Sequence, residues 1–164
     1  GNLTATNINY NTISLSYSTL PSFTSSMVGY QTTLNPLVSS VNITSGTDYS
    51  SIFSFNLPLG VWNVNVVLVI GASAGPFTIT QGKIAFTNAS SVVLYKENLP
   101  QQYCANTTIN YKNFNFIVQN STSQSITLSY TSQTYDYTGG YANSMQIEGT
   151  FTSNPCYVVL TRLA

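Results

Sequence analysis

The sequence predicts an all-β domain, an antiparallel jelly-roll sandwich of about ten strands. Three observations carry this. Apolar residues recur at period two in short runs, and Gly, Pro, Asn and Ser turn chemistry separates the runs. No helical period of adequate length appears. The composition combines strand formers with turn formers: 12 Tyr and 8 Phe stand beside 62 Ser, Thr and Asn in 164 residues. Disordered chains lack such aromatics, and the length suits one domain, 1–164, with a real core.

The chain starts at Gly1-Asn2-Leu3-Thr4, which reads as a piece of a longer protein. From Thr12 to Ser18, Ile13, Leu15 and Tyr17 alternate with polar residues, as in a half-buried strand. Leu20 to Ser26 is a loop. Val28 to Leu34 is a short strand ended by Asn35-Pro36, and Ser39 to Thr44 a weaker one before a Ser45–Asp48 turn. Tyr49, Phe53, Phe55 and Leu57 mark the next strand.

The longest strand signal runs from Val61 to Ile70. Trp62, Val64, Val66, Leu68 and Ile70 share one face, and Val61, Asn63, Asn65, Val67 and Val69 share the other. A strand apolar on both faces is covered on both, so its outer face meets another layer or another subunit. The short Pro58–Gly60 turn implies that this strand pairs antiparallel with Tyr49–Leu57.

Gly71 to Pro76 is a connection. Phe77 to Phe86 alternates, with Gly82 marking a bulge. Strands follow at Ser91–Tyr95, Thr107–Val118, Ile126–Tyr130, Met145–Phe151 and Cys156–Arg162, with a longer loop over Lys96–Asn106. An immunoglobulin-like sandwich would place its Trp between two paired cysteines; here Trp62 precedes both Cys104 and Cys156.

Charge excludes several functions. Asp, Glu, Lys and Arg total 8, the net charge is zero, and there is no His. Average domains are about a quarter charged, and phosphate binding needs a basic surface, so nucleic acid is not the partner. No apolar run is long enough to cross a membrane as a helix. The acids Asp48, Glu97, Asp136 and Glu148 show no paired spacing, and without His the requirements of general acid–base catalysis are not met; no catalytic residues and no cofactor are predicted. Two Cys without His make no zinc site, and calcium would have to use Asp48 or Asp136 with backbone oxygens.

Cys104 and Cys156 either form one disulfide, in an oxidising compartment, or stay as two buried thiols. Pairing is the expectation taken forward: it would close a loop of about fifty residues, worth on the order of 4 kcal/mol in the chain-entropy picture. Five Asn-x-Ser/Thr strings, at Asn2, Asn42, Asn88, Asn106 and Asn120, would be glycan acceptors in a secreted chain, although chance accounts for many in so Asn-, Ser- and Thr-rich a sequence.

Three strings carry a resemblance. Tyr17 to Tyr30 resembles the "TLPxFTSxxxGY" stretch of fibre and surface proteins of large DNA viruses and their satellites. Leu57 to Trp62 matches the "LPxGxW" of that family, and Leu160 to Ala164 is similar to its closing "xTRIA". The resemblance covers nearly the whole chain. It implies a trimeric jelly-roll head like those of tumour necrosis factor and complement, located on the virion surface or outside the cell. Under it, Val61, Val67 and Val69 would face the threefold axis of a homotrimer, and the head would attach to a host-surface receptor or glycan. A purely structural trimerising or capping module and a secreted lectin-like module are the alternatives.

Binding residues are expected in the segment 132–144, where Tyr135, Asp136, Tyr137 and Tyr141 combine with Gly and Asn. Such residues suit adaptable recognition loops, and aromatic faces stack on sugar rings. The alternative is a hairpin loop whose tyrosines pack on their own strands.

Overall fold

The computed structural model describes residues 24, 26–44, 46–72, 77–99, 102–104, 109–136, 145–149 and 155–164. These residues form β1 (Gln31–Leu34), β2 (Val41–Ile43), β3 (Tyr49–Leu57), β4 (Gly60–Ala72), β5 (Phe77–Asn88), β6 (Val93–Leu99), β7 (Gln102–Cys104), β8 (Asn110–Asn120), β9 (Gln124–Asp136), β10 (Met145–Ile147) and β11 (Tyr157–Arg162). Every pairing is antiparallel. The predicted strand over Thr12–Ser18 lies outside the described residues.

Two sheets result, each organised on one long strand. β4 pairs β8 along one edge; its other edge is shared in series by β11 (opposite Trp62–Val67) and β10 (opposite Ile70–Ala72), which in turn pair β1 and β2. β5 pairs β9 on one edge and β6 and β7 in series on the other, with β3 beyond β9. The all-β antiparallel sandwich read from the sequence is the fold, and its core lies between the two sheets.

The inward faces follow the alternation. Trp62, Val64, Val66, Leu68 and Ile70 of β4 are fully buried, as are Ile84 and Phe86 of β5 and Ile126, Leu128 and Tyr130 of β9. Each such side chain contributes roughly 1.5–3 kcal/mol by leaving water. Phe86 meets Phe116 across the sandwich at 5.1 Å between ring centroids, and Tyr95 stacks on Phe116 at 5.2 Å with 15° between planes.

Four sequence expectations are corrected. β3 and β4 do not form a hairpin: they lie in different sheets, and Pro58-Leu59 carries the chain across the sandwich. The physical reason is that both strands need the same core, which a crossing supplies. The chain crosses back between β8 and β9, and Asn120 ties the two crossings together. Its Nδ2 donates to the Pro58 carbonyl at 3.0 Å, while its Oδ1 accepts from Gln124 Nε2. The Trp62 indole N–H donates to the Pro58 carbonyl as well, at 2.9 Å. Buried at 7% exposure, Asn120 is engaged on both sides of its amide and is not an open glycan acceptor.

Second, the loop expected over Lys96–Asn106 contains the end of β6 and all of β7, since their backbones complete the edge of β5. Third, β9 runs on to Asp136, so Tyr135 and Asp136 are strand residues opposite Ile79 and Thr78. Fourth, the β10 ladder stops at Ile147, short of the expected Phe151. The bulge expected at Gly82 is present as a register shift between Gln81 and Gly82. A side chain there would displace Tyr130, because a Cβ would meet its hydroxyl at 2.7 Å.

Candidate functional site

The end of the first string, Gly29 and Tyr30, meets the other two strings in space. Gly29 N–H donates to the Arg162 carbonyl and Arg162 N–H to the Tyr30 carbonyl. Tyr30 sits edge-on to Trp62 at 6.4 Å, and the Arg162 guanidinium lies over the Trp62 ring at 5.6 Å. Arg162 Nη1 donates to the Leu59 carbonyl at 2.9 Å. Val61 N–H reaches the Ala164 carbonyl at 2.8 Å. Gly60 makes this closure possible: its φ is +125°, and a Cβ there would meet both Ala164 and Arg162 at 2.8 Å. These residues do structural work at one end of the sandwich.

Beside them lie shallow hollows of about 350, 320 and 200 Å³, lined mostly by Ser, Asn, Gln, Pro and Leu. Among the described residues, no carboxylate lines them. Among the described residues, no three His, Cys, Asp or Glu side chains come together in a group that would hold a metal.

The more distinctive surface is the outward face of the β4 sheet. β4 presents Val61, Asn63, Asn65, Val67 and Val69 there. The register sets Ile117 opposite Asn63, Asn115 opposite Asn65, Asn113 opposite Val67 and Tyr111 opposite Val69. On the other edge, Thr161 faces Asn63, Val159 faces Asn65 and Tyr157 faces Val67. None of these residues is charged. Ile117 is 66% exposed and Tyr111 54%, and Asn113 and Asn115 are also exposed.

The expectation that Val61, Val67 and Val69 together form an open subunit face is corrected. Val67 and Val69 are buried within the single chain at 7% and 0% exposure. Around Val69 the chain folds over itself. Glu148 N–H donates to the Val69 carbonyl, and a side chain on Gly71 would collide with the Glu148 carboxylate. Val61 stays partly open.

Cys156 carries a free, buried thiol rather than half of the expected pair with Cys104; the Cys104 side chain lies outside the described residues, its backbone pairing β5 at Phe77. The Cys156 sulfur sits where β10 has left β4 and β11 has not yet joined it. There it accepts the Val69 N–H at 3.1 Å. Burial pushes its pKa up to about 11.

Of the expected binding residues, Tyr135 and Asp136 are placed by backbone alone, on β9, and Tyr137 and Tyr141 lie outside the described residues. Sequence reading gave Asn63 and Asn65 no role. The signal was present as Asn at period two on β4 and again at Asn113 and Asn115 on β8.

No family model matches the chain. No curated protein matches it either. By structure it is similar to a chain of the T13 viral particle of infectious bursal disease virus, at 15% identity over 92% of this chain and 35% of that one, with a TM-score of 0.50. It is also similar to the T=1 particles derived from that virus, at 16% identity over 93% of this chain and 40% of that one, TM-score 0.45. A third likeness is to the insecticidal delta-endotoxin Cry8Ea1 of Bacillus thuringiensis, at 11% identity over 76% of this chain and 19% of that one, TM-score 0.42. This chain spans about a third of the virus chain with which it shares the fold, 35% of its length.

Proposed function

We propose that this chain is a non-enzymatic structural module of a virus particle, a jelly-roll head that associates as a homotrimer on the virion surface. One observation carries the reading: on the outward face of the β4 sheet, the stretch around Val61, Asn63 and Asn65 with exposed Asn113, Asn115 and Ile117 of β8 is partly apolar and carries no charged residue, the Glu148 carboxylate lying beyond it at Gly71. In a homotrimer the same face of each copy turns toward the threefold axis, so charges of one sign near that axis would repel one another. An uncharged face does not. The likeness to a chain of a viral particle, which shares the fold, supports the same reading, as does the resemblance of the Tyr17–Tyr30, Leu57–Trp62 and Leu160–Ala164 strings.

Attachment to a host-surface receptor or glycan is the further role of such a head, with recognition around Tyr135–Tyr141. Light scattering at micromolar concentration tests the assembly. A particle of three 17.8 kDa chains is expected; a monomer overturns the proposal.

A further inference from the structure

We infer that the free edge of β8 is a further contact between copies of this chain, in which β8 pairs antiparallel with β8 of a second copy across a twofold axis. This goes beyond the homotrimer and does not rest on it, since it uses backbone groups at the edge of the sheet rather than side chains on its outward face. The direction of those groups follows from β4. Val61 N–H donates to the Ala164 carbonyl, and the Val61 carbonyl accepts from Leu163 N–H. Val69 N–H donates to the Cys156 sulfur, and its carbonyl accepts from Glu148 N–H. Backbone N–H and C=O groups alternate sides along a strand, so the odd-numbered residues of β4 point away from β8 and the even-numbered ones toward it. The register sets Val64 opposite Phe116 and Val66 opposite Phe114, so the even-numbered residues of β8 bond β4. Asn113, Asn115, Ile117 and Gln119 aim their N–H and C=O groups the other way, where among the described residues no strand lies.

Native proteins blunt such edges with short strands, charges and bulges. The other edges here are blunted. β1 has 4 residues, and β2 and β7 have 3 each. The β3 ladder shifts register between Tyr49 and Phe53. β6 carries Lys96 and Glu97, and its ladder shifts at Phe86 and Thr87. β8 has 11 residues, pairs β4 at each of them without a shift, contains no Gly or Pro and bears one charge, Lys112. Its edge is a template for an added strand, and a second β8 fits it. With Asn115 beside its own copy, Asn113 meets Ile117 of the other copy, so the outward-aimed backbone groups face one another as hydrogen-bonding pairs. On the inward side Phe114 falls beside Phe116. Each Lys112 then faces Val118 of the other copy, and the two lysines stand roughly 20 Å apart, beyond the screening length of about 8 Å.

The test is sedimentation of the wild type and of Asn115→Pro from micromolar to millimolar concentration. Pro at 115 removes one edge donor and obstructs an added strand, while costing the β4 ladder no hydrogen bond; circular dichroism verifies the fold. The expected result is a wild-type particle whose mass at least doubles at millimolar concentration and an Asn115→Pro particle whose mass stays constant. Residue-resolved amide exchange in the wild type is a second measurement that needs no variant. The Asn115 and Ile117 amides are expected to exchange at least tenfold more slowly at millimolar than at micromolar concentration, with those of Phe114 and Phe116 slow at both. A wild-type mass that does not rise overturns the inference and leaves the homotrimer standing, as does a doubling that Asn115→Pro retains. Asn115 and Ile117 amides already slow at micromolar concentration would put another occupant on the edge, and overturn it too. A wild type that is a monomer at micromolar and a dimer at millimolar concentration sinks the homotrimer and supports the edge contact.

Discussion

The Cys156 sulfur accepts the backbone N–H of Val69 at 3.1 Å, 87 residues away in sequence. It closes a gap in the ladder that no backbone carbonyl reaches, because β10 departs from β4 at Ile147 and β11 joins it only at Tyr157. The thiol therefore replaces a ladder acceptor, and Cys156 N–H in turn holds the Glu148 carbonyl at 3.1 Å.

This role sets the chemistry of the cysteine. With no exposure and a pKa pushed to about 11, Cys156 is expected to resist thiol reagents in the native protein and to react once the chain is denatured. The raised value also makes stability depend on pH. The folded state holds the proton more tightly than the unfolded state, whose thiol ionises near the ordinary value of 9.0. The contribution is therefore whole below pH 9 and is lost as pH rises toward 11, by up to about 2–3 kcal/mol. Urea melts of wild type and Cys156→Ala across pH 8–11 check this: the wild-type advantage shrinks over that window.

Asn120 joins the two crossings between the sheets through the Pro58 carbonyl and Gln124. Asn120→Ala leaves the buried Pro58 carbonyl with the Trp62 donor alone and Gln124 without its acceptor. A loss of about 2 kcal/mol is expected, since orphaned buried polar groups cost about 1–3 kcal/mol each. Denaturant unfolding measures it.

Gly60 lies at a φ that L side chains rarely adopt, against Ala164 and Arg162. Gly60→Ala strains the backbone and displaces the Arg162 guanidinium from Leu59. We expect about 2 kcal/mol of destabilisation and a melting temperature lower by about 4–8 °C. An unchanged melting temperature would show that the end of the chain can move aside freely.

Tyr95 donates its hydroxyl to the Glu97 carboxylate at 2.5 Å, and this bond, followed by burial, holds its pKa above the ordinary tyrosine value. In a spectrophotometric titration, Glu97→Gln should therefore bring one tyrosine to ionise at lower pH, with the remaining tyrosines unchanged.

If the head attaches to cells or glycans through the end of β9 and the segment that follows it, changing Tyr135, Tyr137 and Tyr141 together to Ala abolishes that binding while light scattering still finds the assembled particle. Persistent binding would put recognition elsewhere; an unfolded protein would mean that these tyrosines belong to the core.

The strands and their inward faces were legible in the sequence because alternation is a local property. Trp62 to Ile70, Phe114 to Val118 and Ile126 to Tyr130 each declare a buried face at period two, and burial in the sandwich agrees. Which strands share a sheet was not legible. The Pro58-Leu59 link is short enough for a hairpin and equally serves a crossing, and only the competition of β3 and β4 for one core decides between them. The extent of β9 depended on a partner: Thr131 to Asp136 is polar, and it becomes strand because the β5 backbone lies alongside. The Cys156 thiol and the free edge of β8 follow the same logic. Their residue types allow several states, and the hydrogen bonds made or missed across distant strands, settled only when the sheets assemble, choose among them.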